Sequence, residues 1–276
     1  DEVLNTPYFH CVFTLPDGFD CLVRYNARLM YELLFRAMAW TLQRFARDRL
    51  DGELGITAVL HTWGQTLWLH PHVHAIVTGG ALSFDRRRWT STGSDFLFDV
   101  HCLSNAFRDR FCTLLARADL VTAGDAAHLA DPAALEAFID EQRGRKWVVY
   151  VKPPVQGPRQ VLEYIARYTH RVAVSNRRIR EVAEDGTVSL AWKDYRHCDR
   201  SGRPAERVME LPATEFIGRF LRHVLPPGFR KVRSYGLNTG PNRAAKHAAA
   251  AALLGPVPQQ ADDARNDSDV PDREPN

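Results

Sequence analysis

The chain has 276 residues, 45% of them hydrophobic, enough to bury a sizeable core as one large domain or as a domain with an appendage. No run approaches the roughly 18 apolar residues of a membrane span, and the opening DEVLNTPYFH lacks the basic-then-apolar pattern of a signal peptide, so a cytoplasmic protein is expected. Five cysteines without a CxxC pair argue against a zinc knuckle or a disulfide framework, and the formal charge of +3 divides into −4 from Gly255 onward and +7 before it.

In chain order, Tyr8 to Leu15 is β-branched and aromatic and predicts a strand ended by Pro16-Asp17-Gly18. Residues 27 to 50 predict a long helix, with Leu29, Leu33, Met38, Leu42 and Phe45 near helical spacing and Asp51-Gly52 as the stop. Residues 55 to 80 then predict a β-hairpin with Gly64 near its turn. Beyond it come a short strand over Phe96 to Val100 and a helix from Ser104 to Ala118. A second helix runs from Pro132 to Arg143 after an Asp131 cap, and a buried strand from Trp147 to Val151 is ended by Lys152-Pro153-Pro154. Pro158 opens a helix running to about Tyr168. Strands are expected at Val172 to Ser175 and Val188 to Lys193 with the Asp185-Gly186 turn between them, then at Arg207 to Leu211. A helix from Ala213 to about Val224, a break at Pro226-Pro227-Gly228, a basic strand from Arg230 to Tyr235 and an Ala-rich helix from Arg243 to Leu254 complete the folded part. The Pro-, Asp- and Gln-rich tail from Gly255 is expected to be disordered.

The hairpin holds the first chemical feature. Strand alternation puts His70, His72, His74 and Ile76 on one face and Val73, Ala75 and Val77 on the other. Pairing with the preceding strand brings His61 beside His72 and His74, a three-nitrogen set that leaves positions open on a metal. A single strand histidine is ordinarily structural; several of the chain's 11 within so short a stretch weigh toward a ligand set. The second feature is Tyr164 and Tyr168, one turn apart on a helix with Arg167, His170 and Arg171 around them. Such a pair is commonly a packing stripe, and it is also what a tyrosine nuclease needs. The third is charge. Residues 158 to 247 carry 18 Lys and Arg against 9 Asp and Glu, and Trp192-Lys193-Asp194-Tyr195-Arg196 mixes aromatics with cations, which suits a nucleic-acid backbone as well as a plain solvated face.

His72-Val73-His74, the later Tyr164/Tyr168 pair, and the runs LHTWGQ, HPHVHAIV, VVYVKPP, RYTHRVAVSN and WKDYR together resemble the two-tyrosine HUH transposases of bacterial insertion sequences that move by rolling-circle transposition. The likeness covers roughly residues 7 to 254. The spacing of His61 to His72 and His74 is also similar to the three-histidine site of conjugative relaxases. The resemblance implies an α+β fold, the HUH endonuclease core, with a central antiparallel β-sheet flanked by helices. It implies a divalent metal, Mg²⁺ or Mn²⁺, on His72 and His74 with His61 as third ligand, His70 and Gln65 being competitors for that place. It implies attack by Tyr164 or Tyr168 on single-stranded DNA at the ends of the insertion element, giving a covalent 5′-phosphotyrosine and a free 3′-OH. Lys152, Lys193, Arg167 and Arg171 are the expected phosphate contacts, and no oligomeric state follows.

Family members usually carry a cysteine-rich zinc-binding module ahead of this core. Here residues 1–254 are expected to form the catalytic domain without that module, followed by the acidic tail 255–276, so the chain is expected to be a fragment or a shortened copy. A truncated, inactive single-strand-binding remnant is the alternative. An unrelated metal-dependent hydrolase would need the histidines but not the tyrosines, and a plain single-strand binder would need neither.

Overall fold

The structure is a computed structural model that describes residues 3–93, 97–155, 166, 169 and 172–256. Its centre is a five-stranded antiparallel sheet built from β1 (Tyr8–Thr14), β2 (Gly55–Trp63), β3 (Leu69–Thr78), β6 (Val148–Val155) and β10 (Val232–Gly236), in the order β10-β2-β3-β1-β6. Together with the helices on its face it makes an α+β fold. Alternation divides this sheet sharply. One face carries Phe9, Cys11 and Phe13 of β1, Ile56, Ala58 and Leu60 of β2 and Val73, Ala75 and Val77 of β3 into the main hydrophobic core. The other face carries the imidazoles.

Two helices cover the apolar face. α1 (Asp20–Leu50) contributes Leu22, Met30, Leu33, Leu34, Met38 and Leu42, and α2 (Val100–Leu115) contributes Leu103, Phe107, Phe111 and Leu115. The edge-to-face ring contacts of Phe13 with Phe107 and of Phe19 with Phe111 and Trp147 fix the sheet against α2. α1 begins seven residues before the predicted helix, because it continues across a break at Asn26 (φ −126°, ψ 32°) that the asparagine side chain itself supports. Its amide donates to the carbonyls of Leu22 at 3.0 Å and Val121 at 2.9 Å and accepts from the Val121 N–H at 2.7 Å. Asp51, in the left-handed region at φ 50°, ends the helix as expected.

The strand expected over Phe96 to Val100 is absent among its described residues. Leu97 and Phe98 are buried in a bend, and the Asp99 carboxylate accepts from the Cys102 N–H at 2.8 Å, so α2 already starts at Val100. α3 (Pro132–Gly144) matches its prediction, with the Asp131 carboxylate accepting from the Ala134 N–H at 3.0 Å. A short pair, β4 (Gly80–Leu82) and β5 (Trp89–Ser91), adds to the predicted elements. β6 runs on through Lys152-Pro153-Pro154, where the sequence predicts a stop. It is an edge strand, and an edge tolerates residues that cannot donate to a ladder.

A second antiparallel sheet, β7 (Ile179–Val182), β8 (Thr187–Cys198) and β9 (Pro204–Pro212), is followed by α4 (Ala213–Leu221). The Asp185-Gly186 turn is present, but its first strand is β7 and not Val172 to Ser175. Ala173 is buried beside Trp63, Leu67 and Leu190, and its carbonyl accepts from the Arg178 guanidinium at 3.1 Å, so that segment satisfies its backbone through a side chain instead of a ladder. The segments flanking this sheet grip the β2–β3 turn. Arg178 donates to the Gln65 carbonyl, Arg219 to the Thr66 carbonyl at 2.8 Å, and His223 Nε2 to the Leu67 carbonyl at 3.1 Å. β10 closes the other edge, where Arg233 makes a two-pronged ion pair with Glu32 of α1 at 2.7 and 2.8 Å. α5 (Arg243–Leu254) has the predicted bounds. The expected Pro158 to Tyr168 helix and the tail beyond residue 256 lie outside the described residues, although Ala166 and Thr169 are helical. Among the described residues no helix is long and apolar enough to cross a membrane.

Candidate metal centre

The register of the central sheet brings three imidazoles together. His61 lies directly across from His72 in the β2–β3 ladder, and His74 follows two residues on, on the same face. One ligand atom from each lies within 4.8 Å of the others, and the three side chains are 0%, 1% and 4% exposed respectively. Ring centroids are 5.5 Å apart for His61 and His72, 4.5 Å for His61 and His74, and 4.9 Å for His72 and His74. Burying three polar rings in one spot is costly unless each is held in a defined hydrogen-bonded arrangement.

The surroundings supply that arrangement. His72 Nδ1 donates to the His70 carbonyl at 2.7 Å, which fixes its tautomer and turns Nε2, with its lone pair, away from that bond. His74 Nδ1 lies 2.8 Å from Nε2 of His10, a β1 residue two positions before Val12, the cross-strand neighbour of His74. His61 stacks on Trp63, 4.8 Å between centroids at 20°. A set of three imidazoles, two of them with outer partners, is a nitrogen donor set for a divalent cation, and the positions it leaves open would take the water or phosphate oxygens that Mg²⁺ and Mn²⁺ favour.

Of the two competitors for the third place, neither joins the cluster. His70 Nδ1 is 3.6 Å from the Asp17 carboxylate, and Gln65 sits in the turn with its side-chain oxygen accepting from the Lys193 N–H at 3.3 Å. The four phosphate-contact residues part company. Lys152 lies on β6 opposite His10, on the imidazole face and half-buried; Lys193 is exposed on β8. Arg167, Arg171 and both tyrosines, Tyr164 and Tyr168, lie outside the described residues.

Beside the triad a cleft of about 630 Å³ opens between the start of α1, the β2–β3 turn and β8. Asp17, Asp20, Trp68 and His70 line it, together with Trp192, Lys193, Asp194, Tyr195 and Arg196 of β8. Burial, aided by the negative charge of Asp17, pushes the Asp20 carboxyl up to about 7. The hydrogen bond from His70 holds Asp17 below the usual carboxylate range against its partial burial. Farther along β8, burial opposes ionisation of Asp194, yet bonds from His197 and Arg196 outweigh it and hold the carboxyl at about 2. His10 has no local signal in the sequence, since its partner His74 lies 64 residues away in the chain.

Comparison with known proteins gives a consistent picture. A family model described as "Putative transposase" (Y2_Tnp) matches residues 55–246. The chain is 44% identical over 268 residues to "Putative transposase y4qJ" of Sinorhizobium fredii (strain NBRC 101917 / NGR234), covering 94% of this chain and 66% of that protein. It is 27% identical over 245 residues to "Transposase for insertion sequence element IS801" of Pseudomonas savastanoi pv. phaseolicola, covering 84% of this chain and 54% of that protein. The chain thus spans between about half and two thirds of the length of these relatives. No solved structure matches.

Proposed function

The chain belongs to the Y2_Tnp transposase family, and from that premise we propose that it nicks and joins single-stranded DNA at the ends of an insertion element through a covalent 5′-phosphotyrosine. The observation that carries this reading is the convergence of His61, His72 and His74 on the face of the sheet that the core leaves to them. A Mg²⁺ or Mn²⁺ ion bound there supplies Lewis-acid stabilisation of charge on the scissile phosphate. The three imidazoles hold it, and His10 and the His70 carbonyl orient two of them.

The phenolic oxygen of Tyr164 or Tyr168 forms a bond to phosphorus as the P–O3′ bond breaks, and the proton lost by the phenol is balanced by the one gained at the leaving 3′-hydroxyl. Attack by a 3′-hydroxyl on the phosphotyrosine reverses the step, so strands are exchanged without external energy. Two tyrosines let one hold the donor strand while the other cuts the target. Lys152, Lys193, Arg167 and Arg171 contact flanking phosphates, and the reaction takes place in the bacterial cytoplasm.

The test is incubation with labelled single-stranded oligonucleotides covering the element's ends in Mg²⁺ or Mn²⁺, followed by a denaturing gel. A protein-linked strand that needs metal and is lost in the Tyr164→Phe, Tyr168→Phe double variant and in His72→Ala is the expected result. Retardation of the correct ends with no adduct would refute the nuclease reading and leave a single-strand-binding remnant.

A further inference from the structure

We propose that the cleft between the β2–β3 turn and β8 is a guanine-binding subsite, which holds the base next to the phosphate at the imidazole triad. This rests on the single-strand reading above and adds to it a base preference.

The position comes first. His70 lines the cleft, its ring centroid is 5.3 Å from that of His72, and its carbonyl accepts from His72 Nδ1. A strand whose phosphate meets the triad therefore has a neighbouring base within reach of the cleft. The volume of about 630 Å³ is in the range of small-molecule sites.

The walls have the chemistry of a base pocket. Trp68 is 51% exposed, an unusual state for an indole at the edge of a cleft, and it is held there from behind. The Arg219 guanidinium lies 4.2 Å from its ring centre, and that arginine is itself fixed by Glu215 and the Thr66 carbonyl. A stiff, half-open indole, in a cleft that Trp192 also lines, is a stacking platform for a π-face.

The polar groups then choose among the bases. Asp20 and Lys193 both line the cleft, together with Asp17, Asp194 and Arg196, and Asp194 is already engaged by Arg196 and His197. A free phosphate would want cations alone, and an apolar segment would want neither. Guanine presents acceptors, O6 and N7, on one edge and the donors N1–H and N2–H on another, so it alone among the four bases offers an acceptor pair to the lysine and a donor pair to the carboxylate. Among the described residues no hydrogen bond reaches the Asp20 carboxyl, and burial and Asp17 oppose its charge more than His70, Arg24 and Arg222 favour it. Two N–H donors from a base would relieve both.

The experiment is fluorescence anisotropy of the full chain, in EDTA to hold back cleavage, with labelled dT20 and with dT20 carrying one central dG, dA or dC. The dG strand is expected to bind about fivefold or more tighter than the other three, as one good two-bond base contact provides. Asp20→Asn should bring that ratio close to one, and Trp68→Ala should weaken every strand about tenfold, the usual effect of losing a stacking partner. If Trp68→Ala does not fold, Lys193→Gln, a change at an exposed position on β8, serves in its place and should also reduce the dG ratio. Equal binding of all four strands by the wild type, or a dG preference that survives these substitutions, would overturn the subsite and leave the single-strand reading standing. Binding of no strand by folded wild type would overturn both.

Discussion

Replacing His10 with alanine removes the group that sets the tautomer of His74 without touching a residue of the triad. His10 is 1% exposed, and its Nε2 lies 2.8 Å from His74 Nδ1. With His10 as acceptor, the His74 proton stays on Nδ1 and Nε2 is the atom left to act as ligand; without His10 that constraint on tautomer and ring orientation is lost. Losing an outer partner of this kind typically costs 10- to 100-fold in metal affinity, or about 1.4–2.7 kcal/mol. The vacated space and the lost bond also lower the stability of the metal-free protein by about 1–3 kcal/mol. The two effects are separated by measuring Mn²⁺ binding calorimetrically well below the melting temperature, with circular dichroism as a check on folding. His10→Gln, which keeps an acceptor, should recover part of the affinity. A folded His10→Ala protein that binds Mn²⁺ as tightly as wild type would refute the reasoning.

Three other outcomes follow from the geometry. His61→Ala should weaken Mn²⁺ binding by more than His70→Ala does, because His70 faces Asp17 and lies outside the triad; the reverse order in the same titration would move the third ligand. Asp20 shifts from an ordinary 3.8 to about 7 on folding, so its contribution to stability is full below about pH 4 and is lost as pH rises through 7. Asp20→Asn should therefore raise the melting temperature at pH 8.5 but not at pH 4.5; a shift of this size is worth about 4 kcal/mol, cut to about 1–2 kcal/mol by the partial solvent exposure of the group. Asp131→Ala removes the cap of α3 and should cost about 1 kcal/mol in urea unfolding, with an unchanged m-value.

What is legible in the sequence is whatever repeats locally. The β2–β3 hairpin announces itself through alternation over residues 55 to 80, which brings His61 beside His72 and His74, and the folded ladder then sets it directly across from His72. α5 and α3 are legible from composition and from the Asp131 cap. The departures lie where a distant partner replaces a local rule. Val172 to Ser175 alternates like a strand, yet Arg178 takes over the Ala173 carbonyl. Lys152-Pro153-Pro154 looks like a stop, yet the strand lies at an edge where a missing donor is harmless. α1 reaches back to Asp20 because Asn26 bridges the break through Val121, 95 residues away. His10 is invisible for the same reason, since its partner lies 64 residues on in a strand whose register only the folded sheet defines.

The triad draws all three of its rings from residues 61 to 74, while the tyrosines proposed for strand cleavage come some 90 residues later. A hairpin alone is only marginally stable in water, but β1 and α1 precede it in the chain and are ready to receive it. During synthesis, which exposes N-terminal segments first, His10 therefore waits for His74 and the imidazole cage can close around an ion while the rest of the chain is still being made. If the tyrosines cut as proposed, a nascent chain shorter than 164 residues has the metal ligands but no nucleophile, and cannot cut DNA.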